Sequence, residues 1–191
     1  MKILVLSVSV GAGHLRAAEA IVKASEINNK DIECKHINAL DFSSKLFKKF
    51  YVQSYIKTVN KSPKLWGYFY DYYDKKTEKT KTAKFMHIMD SMQSKNLIEF
   101  VKEYNPDQII CTHFFPSNLL LAGKGKNKID IPIYIVMTDY DVHFFWINKN
   151  ASRYFVPTNE IKWLLQKRGI DENKIFVTGI PINPVFSCKK Q

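Results

Sequence analysis

An alternation of short strand-like runs with helical stretches constrains this chain more than any other feature. Lys2–Val8 is a continuous apolar run of the kind found in a strand covered on both faces. Gly11-Ala12-Gly13-His14 follows, and then the alanine-rich stretch Leu15–Ala24, a helix by propensity. Ile32–Ile37 is expected to form a second strand. The rhythm returns with Gln108–Thr112, Ile133–Met137, Arg153–Val156 and Lys174–Thr178 as strands, and with Pro116–Lys124 and Asn159–Lys167 as helices. Gly169 closes the last helix, where a left-handed cap favours glycine. Strands alternating with helices predict an α/β fold, a Rossmann-like parallel sheet with helices on both faces and right-handed crossovers.

The segment from Phe42 to Asn105 breaks the rhythm and is expected to form two or three helices, an insertion at about 43–104. At 191 residues the chain has the size of one large domain, taken as 1–186. Pro181 and Pro184 suit an extended connector, so 187–191 are expected to begin a linker to a further, C-terminal domain.

Charge is distributed unevenly. Of a net +11, the stretch Ser44–Lys84 holds eleven lysines against Asp71, Asp74 and Glu78, a local excess of +8, together with ten of the 26 aromatic residues. Such a patch calls for an anionic partner, either nucleic acid or an acidic membrane surface. No run approaches the roughly 18 apolar residues of a spanning helix. The N-terminus lacks the apolar region and cleavage site of a signal peptide, so a cytoplasmic location is expected. Cys34, Cys111 and Cys188 stand far apart and are odd in number, which excludes a disulfide framework or a paired zinc pattern.

In an open parallel sheet, ligands bind at the carboxyl ends of the strands. That rule gathers His14, His113, Asp139, Asp141 and His143 onto one rim. Gly11 and Gly13 allow a tight turn and close approach of a ligand. A dinucleotide fingerprint would need a third glycine where Arg16 stands, which argues against a nicotinamide domain. At a helix N-terminus the dipole disfavours imidazolium, so His14 should stay neutral, as a general base acting on an alcohol must. Two other classes compete. A metal-dependent hydrolase would use His14, His113, His143 and Asp141, although no HxxxH or HxD spacing supports it. A nucleic-acid-binding module would use the lysines and aromatics of the basic segment, which has no arginine.

Ser7–His14 followed by Ala17-Ala18 resembles the N-terminal motif of the monogalactosyldiacylglycerol synthase and processive diacylglycerol glucosyltransferase family. Thr138–Trp146, Tyr154–Thr158 and Gly179–Phe186 resemble three further motifs of that family, in the same order. The resemblance implies the N-terminal, acceptor-binding half of a GT-B glycosyltransferase of the family 28 type. Its C-terminal partner domain would hold the nucleotide sugar. It implies transfer of a hexose from a UDP-sugar to diacylglycerol with inversion, without a cofactor or metal, at the inner face of the plasma membrane. His14 and Asp139 would be catalytic. Gly11, Ala12, Gly13, His113, Asp141, His143 and Trp146 would line the acceptor side, with no role for nucleic acid.

The basic, aromatic segment carries its own prediction. Lysines near an anionic bilayer contribute about 1 kcal/mol each and act within a Debye length, while interfacial aromatics add a term that salt does not screen. Trp66, Tyr68 and Phe69 are the residues expected to insert, and vesicle binding should require anionic lipid, weaken with salt, and fall on replacing Trp66 and Phe69. Equal binding to neutral and anionic vesicles would rule out this mode of docking.

Overall fold

The computed structural model describes residues 1–49, 51–53, 95–123 and 128–186. Six strands are formed: β1 (Lys2–Ser7), β2 (Glu33–Asn38), β3 (Gln108–Cys111), β4 (Ile133–Val136), β5 (Arg153–Val156) and β6 (Ile175–Val177). They make one sheet in the order β2-β1-β3-β4-β5-β6, and every pairing is parallel. The Rossmann-like expectation holds, and β5 begins and ends where the sequence placed it.

The period of two along each strand divides the core. Ile3 and Val5 meet Ala18 on one face, beneath helix α1 (Ala12–Asn28). Leu4 and Leu6 point the other way, where they join Ile109 and Cys111 of β3. Ala17, Ala18 and Ala20 are the buried residues of α1, so methyl-sized side chains let this helix lie close to the sheet. It begins earlier than propensity suggested because Gly11 caps it at φ 82 and ψ 132, a conformation costly for any residue with a Cβ.

The opposite face is covered by helix α2 (Phe114–Leu121), helix α3 (Asn159–Lys167) and parts of the long crossover from β2 to β3. Within that crossover, 45–49, 51–53 and 95–104 are helical. Phe47 and Tyr51 pack their rings on Phe115 at 5.8 and 5.3 Å, so this end of the insertion belongs to the core. Helix α3 matches its expected bounds. Thr158 accepts from the Ile161 N–H at its start, and Gly169 follows its end at φ 83. Helix α2 starts before Pro116, which sits in the first turn, where its missing N–H costs no helical hydrogen bond.

Tyr154, fully buried on β5, fastens the loop that follows β4. Its hydroxyl accepts from the Asn148 N–H at 2.8 Å and has the carbonyls of Trp146 and Asn148 each at 2.9 Å as acceptors for its one proton. Tyr154→Phe should therefore leave a half-buried N–H without its partner and cost about 0.5–1.5 kcal/mol. The measurement is a lower urea midpoint at unchanged m value. An unchanged midpoint would mean that the hydroxyl does not hold the loop.

Candidate functional site

The chain leaves β1 for β2 on one side, and the long crossover then brings β3 to the other side of β1. Loops after β1 and β3 therefore diverge, which opens a crevice at the carboxyl ends of these strands. His14, in the first turn of α1, enters it from β1, and His113, two residues past β3, enters it from the other side. Their rings meet edge to face with centroids 4.5 Å apart.

Each imidazole has one nitrogen fixed by a backbone group. His14 Nδ1 lies 2.9 Å from the Thr112 carbonyl and 2.6 Å from the Thr138 hydroxyl. A carbonyl only accepts, so Nδ1 carries the proton and Nε2 keeps its lone pair. Among the described residues Nε2 has no hydrogen-bond partner, and it is not a sealed, buried atom. His113 is set the other way. As the N-cap of α2, its Nδ1 accepts from the Phe115 N–H at 3.0 Å, which puts its proton on Nε2. Thr112 adds a second tie, its hydroxyl donating to the His14 carbonyl at 2.9 Å.

Burial lowers the His14 pKa, opposed by the Asp139 carboxylate and the Thr112 carbonyl and reinforced by His143. Burial lowers His113 much further, with His14 and His143 adding to the effect. Burial alone would raise Asp139, but His143, the His14 field and the Trp146 indole N–H outweigh it, and its pKa falls below the usual carboxylate value. The indole N–H donates to Asp139 Oδ2 at 2.9 Å, and His143 Nε2 approaches the same oxygen at 3.9 Å, an electrostatic contact too long for a hydrogen bond. The crevice thus holds neutral imidazole beside a carboxylate in a partly dry setting, an arrangement able to take a proton from a hydroxyl and to stabilise the resulting imidazolium.

Of the sequence-predicted residues, His14, His113, Asp139, His143 and Trp146 come together. Trp146 and His143 are 1% and 5% exposed, so they lie beneath the rim and act on Asp139 and Phe114 rather than forming an open acceptor surface. Asp141 does not join them. It is exposed, and its carboxylate accepts from the N–H of Val142 at 2.7 Å. Gly11, Ala12 and Gly13 are exposed at the start of α1, and a Cβ on Gly13 would meet open space. Trp66, Tyr68, Phe69 and residues 187–191 lie outside the described residues. Sequence reasoning missed Thr112 and Thr138. The signal available was position, since each is a hydroxyl residue at the carboxyl end of a strand on this rim.

A sequence profile of the monogalactosyldiacylglycerol (MGDG) synthase family matches residues 14–182. The chain belongs to that family. It is 31% identical over 190 residues to a processive diacylglycerol beta-glucosyltransferase of Bacillus pumilus, covering 98% of this chain and 47% of the relative. A protein of the same name from Bacillus subtilis is 28% identical over 188 residues, covering 97% of this chain and 47% of the relative. The chain therefore spans about half the length of the curated relatives it matches. Among solved structures, the apo form of the lipopolysaccharide outer core galactosyltransferase WaaB superposes with a TM-score of 0.56 at 16% identity, over 93% of this chain and 45% of that one. A UDP-GlcNAc 2-epimerase from Neisseria meningitidis gives 0.52 at 14% identity, over 95% and 47%. These likenesses establish the fold, one Rossmann-like half of the GT-B arrangement.

The two depressed histidines fix a sign for stability. Unfolded, each takes up a proton below its ordinary value of 6.5, whereas folded, each resists. The unfolded state then binds more protons, so the stability present above that value is lost as pH falls. His36, lowered by burial with Glu19 opposing, adds the same sign. The urea midpoint should drop between about pH 7.5 and about pH 5, and His113→Asn, which keeps a capping oxygen, should shallow the drop. An equally steep drop in that variant would remove His113 as a cause.

Proposed function

We propose that this chain forms the acceptor-side half of a glycosyltransferase that moves a hexose from a UDP-sugar to diacylglycerol, with His14 as general base. The observation that carries the reading is the fixed proton on His14 Nδ1, which leaves Nε2 basic at the crevice. The diacylglycerol hydroxyl gives its proton to Nε2 as its oxygen attacks the anomeric carbon. The bond from that carbon to the UDP oxygen breaks in the same displacement, so configuration inverts and a β-linked glycolipid forms. Asp139 faces the imidazolium made in that step, in the manner of the acid in a catalytic triad, while the Thr112 carbonyl takes over the orienting part of that role.

The names of the Bacillus relatives support diacylglycerol as the acceptor. Their greater length supports a second domain for the donor, where a helix N-terminus would receive the departing diphosphate. On this reading the 191 residues alone fold but do not transfer sugar. No helix among the described residues is long and apolar enough to cross a membrane. Access to the lipid would come instead by peripheral docking through the basic, aromatic segment on the cytoplasmic face. The metal-hydrolase alternative is not favoured. Among the described residues no three or more His, Cys, Asp or Glu side chains are grouped to hold a metal ion, and Asp141 is turned to solvent.

The test uses the full-length protein with labelled UDP-glucose or UDP-galactose and diacylglycerol vesicles. His14→Ala should reduce transfer by about 10²–10⁴-fold, the usual contribution of a general base, and leave lipid binding intact. Retention of more than about a tenth of the activity would remove His14 from that role.

A further inference from the structure

Thr138 stands two residues past β4, 124 positions along the chain from His14, yet its hydroxyl oxygen lies 2.6 Å from His14 Nδ1. The same nitrogen faces the Thr112 carbonyl at 2.9 Å. Two oxygens from two different strand ends therefore converge on one ring nitrogen. We propose that Thr138 is a positioning residue for the reaction, its hydroxyl sharing the Nδ1 proton with the Thr112 carbonyl so that His14 is held in the one tautomer and ring orientation that leave Nε2 basic. The inference rests on the proposed role of His14 as base.

With only the carbonyl present, the ring can still turn about its bond to Cβ, and the Nδ1 proton can be exchanged for one on Nε2 at the loss of a single hydrogen bond. A second acceptor on the same nitrogen, fixed to a different strand, opposes both changes. The need grows once Nε2 is protonated. Imidazolium must place its positive charge in a half-buried site, and two oxygens at Nδ1 then receive a charge-assisted hydrogen bond. Phe114 and Trp146 pack around the neighbouring rings of His113 and His143, leaving aromatic surface where water would otherwise solvate the ion. Valine at 138 keeps the branched shape and puts a methyl in place of the hydroxyl. Serine keeps the oxygen and removes a methyl.

The experiment has two arms. In the 191-residue chain labelled with ¹⁵N-histidine, long-range proton–nitrogen correlation spectra report which nitrogen of His14 carries the proton. Wild type and Thr138→Ser should show the Nδ1–H form alone, and Thr138→Val should show the Nε2–H form or an average of the two. A pure Nδ1–H spectrum in Thr138→Val would mean that Thr112 suffices, and would overturn the proposal. In the full-length protein, Thr138→Val should lower kcat about tenfold with KM within about twofold, and Thr138→Ser should restore most of it. A drop in Thr138→Val that serine fails to restore, or no drop at all, contradicts the positioning role. The tautomer arm needs no sugar transfer. Failure of His14→Ala to impair activity would therefore sink the proposed function while leaving the tautomer result to be judged by itself.

Discussion

The carbonyl oxygen of Thr112 can accept a proton and cannot give one, and it stands 2.9 Å from His14 Nδ1. That contact favours a proton on Nδ1, as does the Thr138 hydroxyl on the same nitrogen, and its geometry depends on the sheet. Thr112 follows β3 directly, and its N–H donates to the Leu6 carbonyl of β1 at 3.0 Å, extending the ladder between the two strands by one bond. His14 is carried on α1, whose start is set by Gly11 and whose closeness to the sheet is set by three buried alanines. A shift of one residue between β1 and β3 would turn the Thr112 carbonyl away from the ring. The catalytic property proposed for His14 is in this sense a property of strand register.

Charge in the crevice follows from the same packing. The rings of His14 and His113 meet, all three histidines lie near Trp146, and the Asp139 carboxylate acts on His14 and His143. Burial keeps His113 neutral, and burial together with His143 disfavours a charge on His14. Asp139 works in the opposite sense, raising the proton affinity of His14. A base for an alcohol needs this balance, since a ring protonated at rest has no lone pair and a ring too weakly basic cannot hold the proton it takes. Trp146 contributes by fixing the carboxylate through its indole N–H, and Tyr154 contributes by fastening the loop on which Trp146 sits.

Local signals made much of this legible in the sequence. The β-branched run at Ile133 and the Gly169 cap define their elements because each acts within a few residues. The rule that ligands gather at strand ends was enough to bring His14, His113 and Asp139 to one crevice. Pairings across the chain were not legible. The two hydroxyl residues that tie down His14 are 98 and 124 positions away, and nothing in their neighbourhoods marks them for it. His113 illustrates the same limit. Its place on the rim followed from the strand before it, but its work as the cap of α2 depends on the backbone turn at Phe115. Asp141 was grouped with Asp139 because both follow the same strand, and the backbone sends the two carboxylates to different surroundings.

The central claim is that the crevice between the ends of β1 and β3 receives a lipid hydroxyl at His14. A titration of the ¹⁵N-histidine-labelled chain with short-chain diacylglycerol in neutral detergent tests it directly, with the matching triacylglycerol as the control lacking a free hydroxyl. The account predicts a saturable shift of the His14 Nε2 resonance with diacylglycerol and none with triacylglycerol. Equal shifts with both lipids, or an Nε2 resonance unmoved by either, would contradict it.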